Sequence, residues 1–196
     1  MKVSKEKAAQ NRAALVETAA RLIRERGIDG VGVAEIGKAA GLTHGALYAH
    51  FKSKEALAAE ALAYGVQISH ERMTTPRNGH MPSLGELLDS YLSEERRDDV
   101  ANGCAMAASA SEIGRQDETI SARYSEGIEN MVGVFEKHLR ARKAKGNARE
   151  KAIAITTALI GGIAASRAVL KARPELANEM LRAVRRTVGE IAGEKV

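Results

Sequence analysis

Residues 41–57 read GLTHGALYAHFKSKEAL, and the reading of this stretch decides the fold. Thr43 has the side chain of a helix N-cap, and Ala46, Leu47 and Tyr48 lead on to Phe51. Ser53 then offers a second cap, so one short helix is followed at once by another. Working back, Gly41 stops a segment whose backbone cap is Gly32, with Glu35 in the capping-box position and Ile36, Ala39 and Ala40 inside it. Further upstream, Leu15, Ala19, Leu22 and Ile23 keep the i, i+4, i+7, i+8 rule, with Glu17, Arg21, Arg24 and Glu25 opposite and Gly27 as the stop. Three helices are therefore predicted before residue 53. Working forward, Leu57, Ala61, Tyr64 and Ile68 give a fourth, longer helix an apolar face that reaches into the seventies.

Composition extends this reading to the whole chain. Its 196 residues are 44% hydrophobic and 28% charged, too balanced for a disordered chain and too polar for a membrane bundle. Much of the apolar share is alanine, the best helix former, with two Phe, four Tyr, no Trp and three prolines, none of them inside a periodic segment. The predicted fold class is all-α. The apolar stretch from Ala152 to Ser166 contains Thr156, Thr157, Gly161 and Gly162 and stops at Arg167, short of the roughly 20 residues of a span, so it reads as a buried helix. The N-terminus lacks an apolar signal region, and a cytoplasmic location is expected. A single cysteine, Cys104, excludes an internal disulfide and a Cys-rich zinc site.

The net charge of +5 is unevenly placed: Lys2, Lys5, Lys7 and Arg12 oppose Glu6 alone in the first twelve residues. Such an arm suits a polyanion, although a solvated terminus has the same composition. A second basic run, with Lys137, Arg140, Arg142, Lys143, Lys145, Arg149 and Lys151 against Glu150, reads more simply as helix ends whose cations complement the dipole.

Residues 74–83 (TTPRNGHMPS) form a loop with two prolines, beyond which the composition changes. Leu84, Leu87, Leu88, Tyr91 and Leu92 mark a helix, Cys104 to Ile113 a short one, and Ile120, Tyr124, Ile128, Met131, Phe135 and Leu139 one face of a long one from about Asp117 to Ala144. Gly146 and Asn147 turn the chain into two last helices, about 148–172 and 175–191, split by Pro174. About nine helices are expected. Ile153, Ile155, Ala158, Leu159, Ile160 and Ile163 surround the first of the last pair, while Leu176, Met180, Leu181, Val184, Val188 and Ile191 form a stripe on the second. The pair either completes a core within the chain or builds a four-helix bundle with a second copy.

A helix, a short helix ending at Gly41, a three-residue turn and a second short helix make the helix-turn-helix layout, whose second helix enters the DNA major groove. In its details the segment resembles the DNA-binding part of the TetR family of bacterial transcription regulators. The residues that carry the likeness are Gly41, Leu42, Thr43, Leu47, Tyr48, His50, Phe51, Lys54, Glu55 and Leu57, with Ala19, Gly27 and Ile36 upstream. The resemblance implies a DNA-binding domain over residues 1–53 and a ligand-binding and dimerisation domain over 54–196. It also implies a homodimer on a palindromic double-stranded operator, and release of that repressor by an unknown small-molecule inducer. No cofactor, metal or membrane partner is expected, and no catalysis: His44, His50, His70, His80 and His138 show no HExxH or zinc-type spacing.

By the same resemblance, His44, Gly45 and Tyr48 meet base edges, while His50 and Lys54 clamp phosphates. Thr43 can cap the recognition helix and donate to a phosphate, and Lys5 and Lys7 supply charge from the arm. Leu47 and Phe51 are core, under the first helix with Leu22 and Ile36. Two positions depart from the family pattern: Gly32 stands where a Ser or Thr cap is usual, and Gly37 where alanine is usual. Gly32, Gly37 and Lys38 also fall at phosphate-loop spacing, but Ala39 occupies the place of the magnesium-binding Ser/Thr and no strand precedes them. Gly30 and Gly32 begin a dinucleotide-type pattern that Glu35 breaks.

Candidate ligand-facing residues in the second half are Tyr64, Tyr91, Cys104, Met106, Tyr124, Ile128, Met131 and Phe135, a set that suits a small, largely apolar ligand, although each is also an ordinary core residue type. Cys104 opens NGCAMAASASEIG (102–114), which resembles a Gly-Cys helix entry in one subset of the family. A thiol there is either a small buried hydrophobe or a reactive group. The alternative function is accordingly a helical small-molecule-binding protein, or a Cys104-dependent redox- or electrophile-responsive one.

Overall fold

The computed structural model describes residues 4–77 and 79–194, and among these every regular element is a helix. The order is α1 (Lys5–Arg26), α2 (Val33–Ala39), α3 (His44–Tyr48), α4 (Lys54–Thr74), α5 (Leu84–Tyr91), α6 (Glu94–Asp98), α7 (Ala105–Ile113), α8 (Glu118–Ala141), α9 (Ala148–Leu170) and α10 (Pro174–Ala192). Ten helices thus replace the expected nine. The addition is α6, whose sequence EERRD carries no apolar period to betray it. It is held instead by the buried guanidinium of Arg97, which donates to Asp98 and to the Asn178 side chain of α10.

The first helix begins earlier than its apolar face suggests. Ser4 caps it by accepting from Lys7 N (3.1 Å), so the basic arm is helical from Lys5 onward; Lys2 lies outside the described residues. Leu15, Ala19 and Leu22 of α1 bury against Ile36 of α2 and Leu47 and Phe51 around α3, and Leu15 and Leu47 are fully enclosed. Glu35 does not close a capping box at Gly32, since its carboxylate pairs with Arg26 of α1 instead.

α4 packs on α1 with one side and on α8 with another. The same core continues around Phe135 and Leu139 of α8, Ile155, Leu159 and Ile163 of α9, and Leu84 and Leu88 of α5, all buried. α9 and α10 run as a packed hairpin, with Pro174 as the first residue of α10, where its missing N–H costs nothing. At 23 residues α9 is longer than the apolar stretch that announced it, and its most apolar 18-residue window, with a mean hydropathy of 1.7, has the length and composition of a membrane span. Its Ile155, Leu159 and Ile163 side is nonetheless buried against α8 and α10.

Candidate nucleic-acid interface and adjoining cavity

α3 is five residues long, too short to persist alone, so it depends on what holds its inner side. Leu47 supplies that hold from within the helix and Phe51 from just beyond it, and the Leu47 carbonyl accepts from both His50 N and Phe51 N at 2.9 Å. Gly41, at a φ of 71°, makes the turn from α2, and Leu42 N donates to Gly37 O (2.8 Å) to fix its pitch. Arg12 of α1 braces the far side, with its guanidinium 4.8 Å from the centre of the Phe51 ring and 2.5 Å from Glu60 of α4. Arg12 is therefore a strut between helices and not part of a free basic arm.

The outer side of this unit presents Thr43, Gly45 and Tyr48, with Tyr48 54% exposed. A Cβ built on Gly45 would meet no atom within 4 Å, so a partner can approach the α3 backbone closely. Thr43 is the N-cap residue by position, but its side chain makes no capping hydrogen bond. His44 opens α3, and its side chain lies outside the described part of the structure. His50 and Lys54 are half-buried at the end of the recognition unit and the start of α4, where Ser53 accepts from Ala56 N (3.1 Å). Lys5 and Lys7 are exposed on the first turn of α1. Lys52, exposed in the α3–α4 turn, adds a cation that sequence reasoning passed over although it stands beside Phe51 in the same motif. The other basic run is largely committed internally: Arg140 pairs with Glu136 (2.6 Å), Arg142 with Glu194 (3.2 Å), Arg149 with Glu129 (2.8 Å), and Lys151 Nζ donates to Ile191 O (2.9 Å).

Behind the helix-turn-helix, a cavity of about 220 Å³ opens between α4, α5 and α6, with Arg72, Met73, Leu87, Tyr91 and Arg96 among its walls. Ser69, Met73 and Tyr91 also border a second, deeper chamber of about 20 Å³ that reaches Cys104, Met106 and Met131. Of the eight ligand candidates, Tyr91, Cys104, Met106 and Met131 line these spaces. Phe135 is fully buried in the α8–α9 core, and Tyr64, Tyr124 and Ile128 line neither space. Tyr124 donates to Met106 O (3.3 Å), and burial, followed by the nearby Cys104 thiol, pushes its phenol up to about 12. Cys104 is itself 2% exposed, at the N-cap of α7.

The larger cavity is more charged than the sequence suggested, because Arg72, Arg77 and Arg96 line it. Arg72 Nη1 and Arg96 Nη1 donate to the same carbonyl oxygen, that of Asn102, at 2.8 and 2.9 Å. Arg24 of α1 donates to Ala101 O (2.6 Å), and Arg167 of α9 to Arg97 O (2.7 Å). Among the described residues no carboxylate lies within ion-pair distance of these four guanidiniums. Burial, then repulsion from Arg72 and Arg96, lowers the proton affinity of Arg24, and burial followed by Arg72 does the same at Arg96. The Tyr91 hydroxyl is fully buried with only the weakly bonding Cys104 thiol beside it, and burial, followed by that thiol, raises its proton affinity well above the ordinary phenol range.

Comparison with known proteins places this architecture. Residues 15–61 match the family model described as bacterial regulatory proteins, tetR family, and residues 83–177 match that of the LmrA/YxaF-like transcriptional regulator C-terminal domain. The HTH-type transcriptional regulator AcrR of Shigella flexneri is 31% identical over 106 residues, which are 48% of this chain and 47% of that protein, so this match spans about half of AcrR. An uncharacterized HTH-type transcriptional regulator of Mycobacterium tuberculosis is 30% identical over 163 residues, covering 78% of this chain and 82% of the other. Among solved structures, the reduced form of Escherichia coli NemR superposes with a TM-score of 0.75 at 20% identity, over 92% of this chain and 95% of that one. A TetR-family regulator of Agrobacterium tumefaciens gives 0.72 at 18% identity, over 96% and 100%.

Proposed function

The chain belongs to the TetR family of bacterial transcription regulators, and from that premise we propose that it is a cytoplasmic repressor. It binds a palindromic operator as a homodimer through α3 and is released by a small molecule taken up behind the DNA-binding unit. The observation that carries this reading is the outer side of α3. Thr43, Gly45 and Tyr48 stand exposed on a helix fixed from within by Leu47 and Phe51, with Lys52 and Lys54 beside it. Such a surface offers base-edge contacts from the helix and phosphate contacts from its flanks.

The pairing of two chains is supported by α9 and α10. Ile153, 44% exposed, is followed along α9 by exposed Ala154, Thr157 and Gly161, a weakly polar face that a second copy would cover. Two recognition helices held by such a dimer must match successive major grooves about 34 Å apart. A ligand that favours a different spacing by about 10⁴-fold in affinity moves the population from almost all bound to almost all free.

The test is a gel-shift titration of the full chain against the DNA flanking its own gene, across a range of salt concentrations, with Tyr48→Ala and Lys54→Ala alongside. Specific binding is expected to weaken steeply with salt as phosphate-bound counterions are released. Tyr48→Ala should lose discrimination between operator and random DNA, whereas Lys54→Ala should weaken both and flatten the salt slope. Binding to no fragment above the random-DNA level would overturn the reading.

A further inference from the structure

The cavity between α4, α5 and α6 has the chemistry of a site for one particular class of ligand. Arg72 and Arg96 aim at a single carbonyl oxygen, that of Asn102, at 2.8 and 2.9 Å. A guanidinium carries five N–H donors in a fixed fork that matches a carboxylate edge, so one shared carbonyl leaves most of this pair's capacity unused. A third guanidinium, Arg77, lines the same space, and its Nη2 donates to Arg72 O (2.9 Å). Two acids also line it, Glu95 and Asp99, and Asp99 is occupied in accepting from the backbone and side-chain nitrogens of Asn102 at 3.2 and 3.0 Å. Three cations against two anions leave room for one further negative charge and disfavour a dianion.

The inner end of the cavity points to what the anion is attached to. The Tyr91 hydroxyl is fully buried at the junction with the deeper chamber, with the weakly bonding Cys104 thiol beside it, and His70 Nδ1 in the same chamber is buried without a partner. Beyond them the walls include Cys104 and Asn130 but are mainly apolar, with Met106 and Met131, unbranched side chains that repack around an inserted chain at little cost. The cavity is smaller than the roughly 300–1,000 Å³ of drug-sized sites, which limits the ligand to a short chain.

Resting on the reading of this chain as a ligand-responsive regulator, we propose that the cavity binds a small organic monocarboxylate. Its head group lies between Arg72 and Arg96, and its hydrocarbon tail passes Tyr91 toward Met106. The head-group site adjoins the DNA-binding unit, because Arg24 of α1 donates to the carbonyl oxygen of Ala101, the residue next to Asn102, whose carbonyl Arg72 and Arg96 share.

Isothermal titration of the full chain with sodium hexanoate, hexan-1-ol, hexylamine and inorganic phosphate tests this without DNA. Hexanoate should saturate with a Kd of about 1 mM or tighter. The alcohol and the amine should each bind at least tenfold more weakly, and phosphate should not displace hexanoate. Arg72→Gln and Arg96→Gln should each weaken hexanoate at least tenfold, with Arg96→Lys intermediate because it keeps the charge and loses the fork. Helix content by circular dichroism checks the variants, and Arg72, exposed on α4, carries the test should the Arg96 variant fail to fold. Hexan-1-ol binding as tightly as hexanoate, or hexanoate binding unmoved in the Arg72 variant, would overturn the carboxylate clamp. Equal competition by phosphate would overturn the tail. A chain that binds hexanoate but no operator keeps this site and loses the regulatory reading; one that binds operator but no hexanoate does the reverse.

Discussion

At Gly37 the chain carries a glycine that its structure does not require. The position is helical, and a Cβ there would meet the carbonyl oxygens of Leu42 and Thr43 at 3.5 Å, ordinary contact distance. Gly37→Ala should therefore stabilise the protein by about 0.5–1 kcal/mol through helix propensity and a less free unfolded chain. For a chain of this size that corresponds to a rise of roughly 1–4 °C in Tm, read by a circular dichroism melt. Gly27 is the opposite case. Its φ is 83°, and a Cβ would fall 2.2 Å from Glu112 Oε1, so Gly27→Ala should lower Tm. A melt unchanged at Gly27 would show that the Glu112 side chain swings aside and that the turn relaxes out of the positive-φ region at no cost. The stop at Gly27 was legible in the sequence, because it follows the last residue of an apolar period. The carboxylate that closes over it was not, since Glu112 lies 84 positions beyond its Ile28 N–H partner.

Elements with a strong apolar period were legible, and those defined by a polar contact were not. α1, α4, α8 and α9 each declare themselves through a repeated buried face, whereas α6 is an island of charge placed by Arg97. The recognition unit was legible residue by residue because its turn, core and surface roles fall on neighbouring positions. The arginine-lined cavity was not, because its arginines come from α4, the loop after it and α6, with no shared period, and half of the residues in the methionine and aromatic stripes serve as core. The dimer face of α9 allows a test at this scale. A Cβ at Gly161 meets nothing within 4 Å in the single chain, and arginine is a better helix former than glycine. Gly161→Arg should thus leave helix content intact or slightly raised while placing a charge on the face proposed to meet a second copy. Sedimentation should show a monomer, with operator affinity lost. A variant that stays dimeric would move the interface elsewhere.

Across the whole molecule, the DNA-binding unit and the helices behind it are joined by a few polar ties. Glu112 Oε2 at the end of α7 accepts from Ile28 N (3.0 Å), Arg24 Nε holds Ala101 O (2.6 Å), and Gln116 reaches Asp29 (3.4 Å). Packing of α4 between α1 and α8 supplies the rest of the connection. If hexanoate shifts the equilibrium between DNA-competent and released states, thermodynamic linkage requires that operator weaken hexanoate by the same factor that hexanoate weakens operator. That factor is expected to fall in the range of about 5–150 common to coupled sites. Glu112 touches neither ligand, so Glu112→Ala should change each separate affinity by less than about threefold. It removes the tie at Ile28, and the coupling factor should therefore drop toward one. Titrating each ligand in the absence and presence of the other, in both proteins, measures all four affinities. Equal factors in the natural protein check that all four titrations are at equilibrium, and a factor of one there would show that hexanoate does not act on operator binding. Full coupling in the variant would assign the connection to Arg24 and the packed α4 instead.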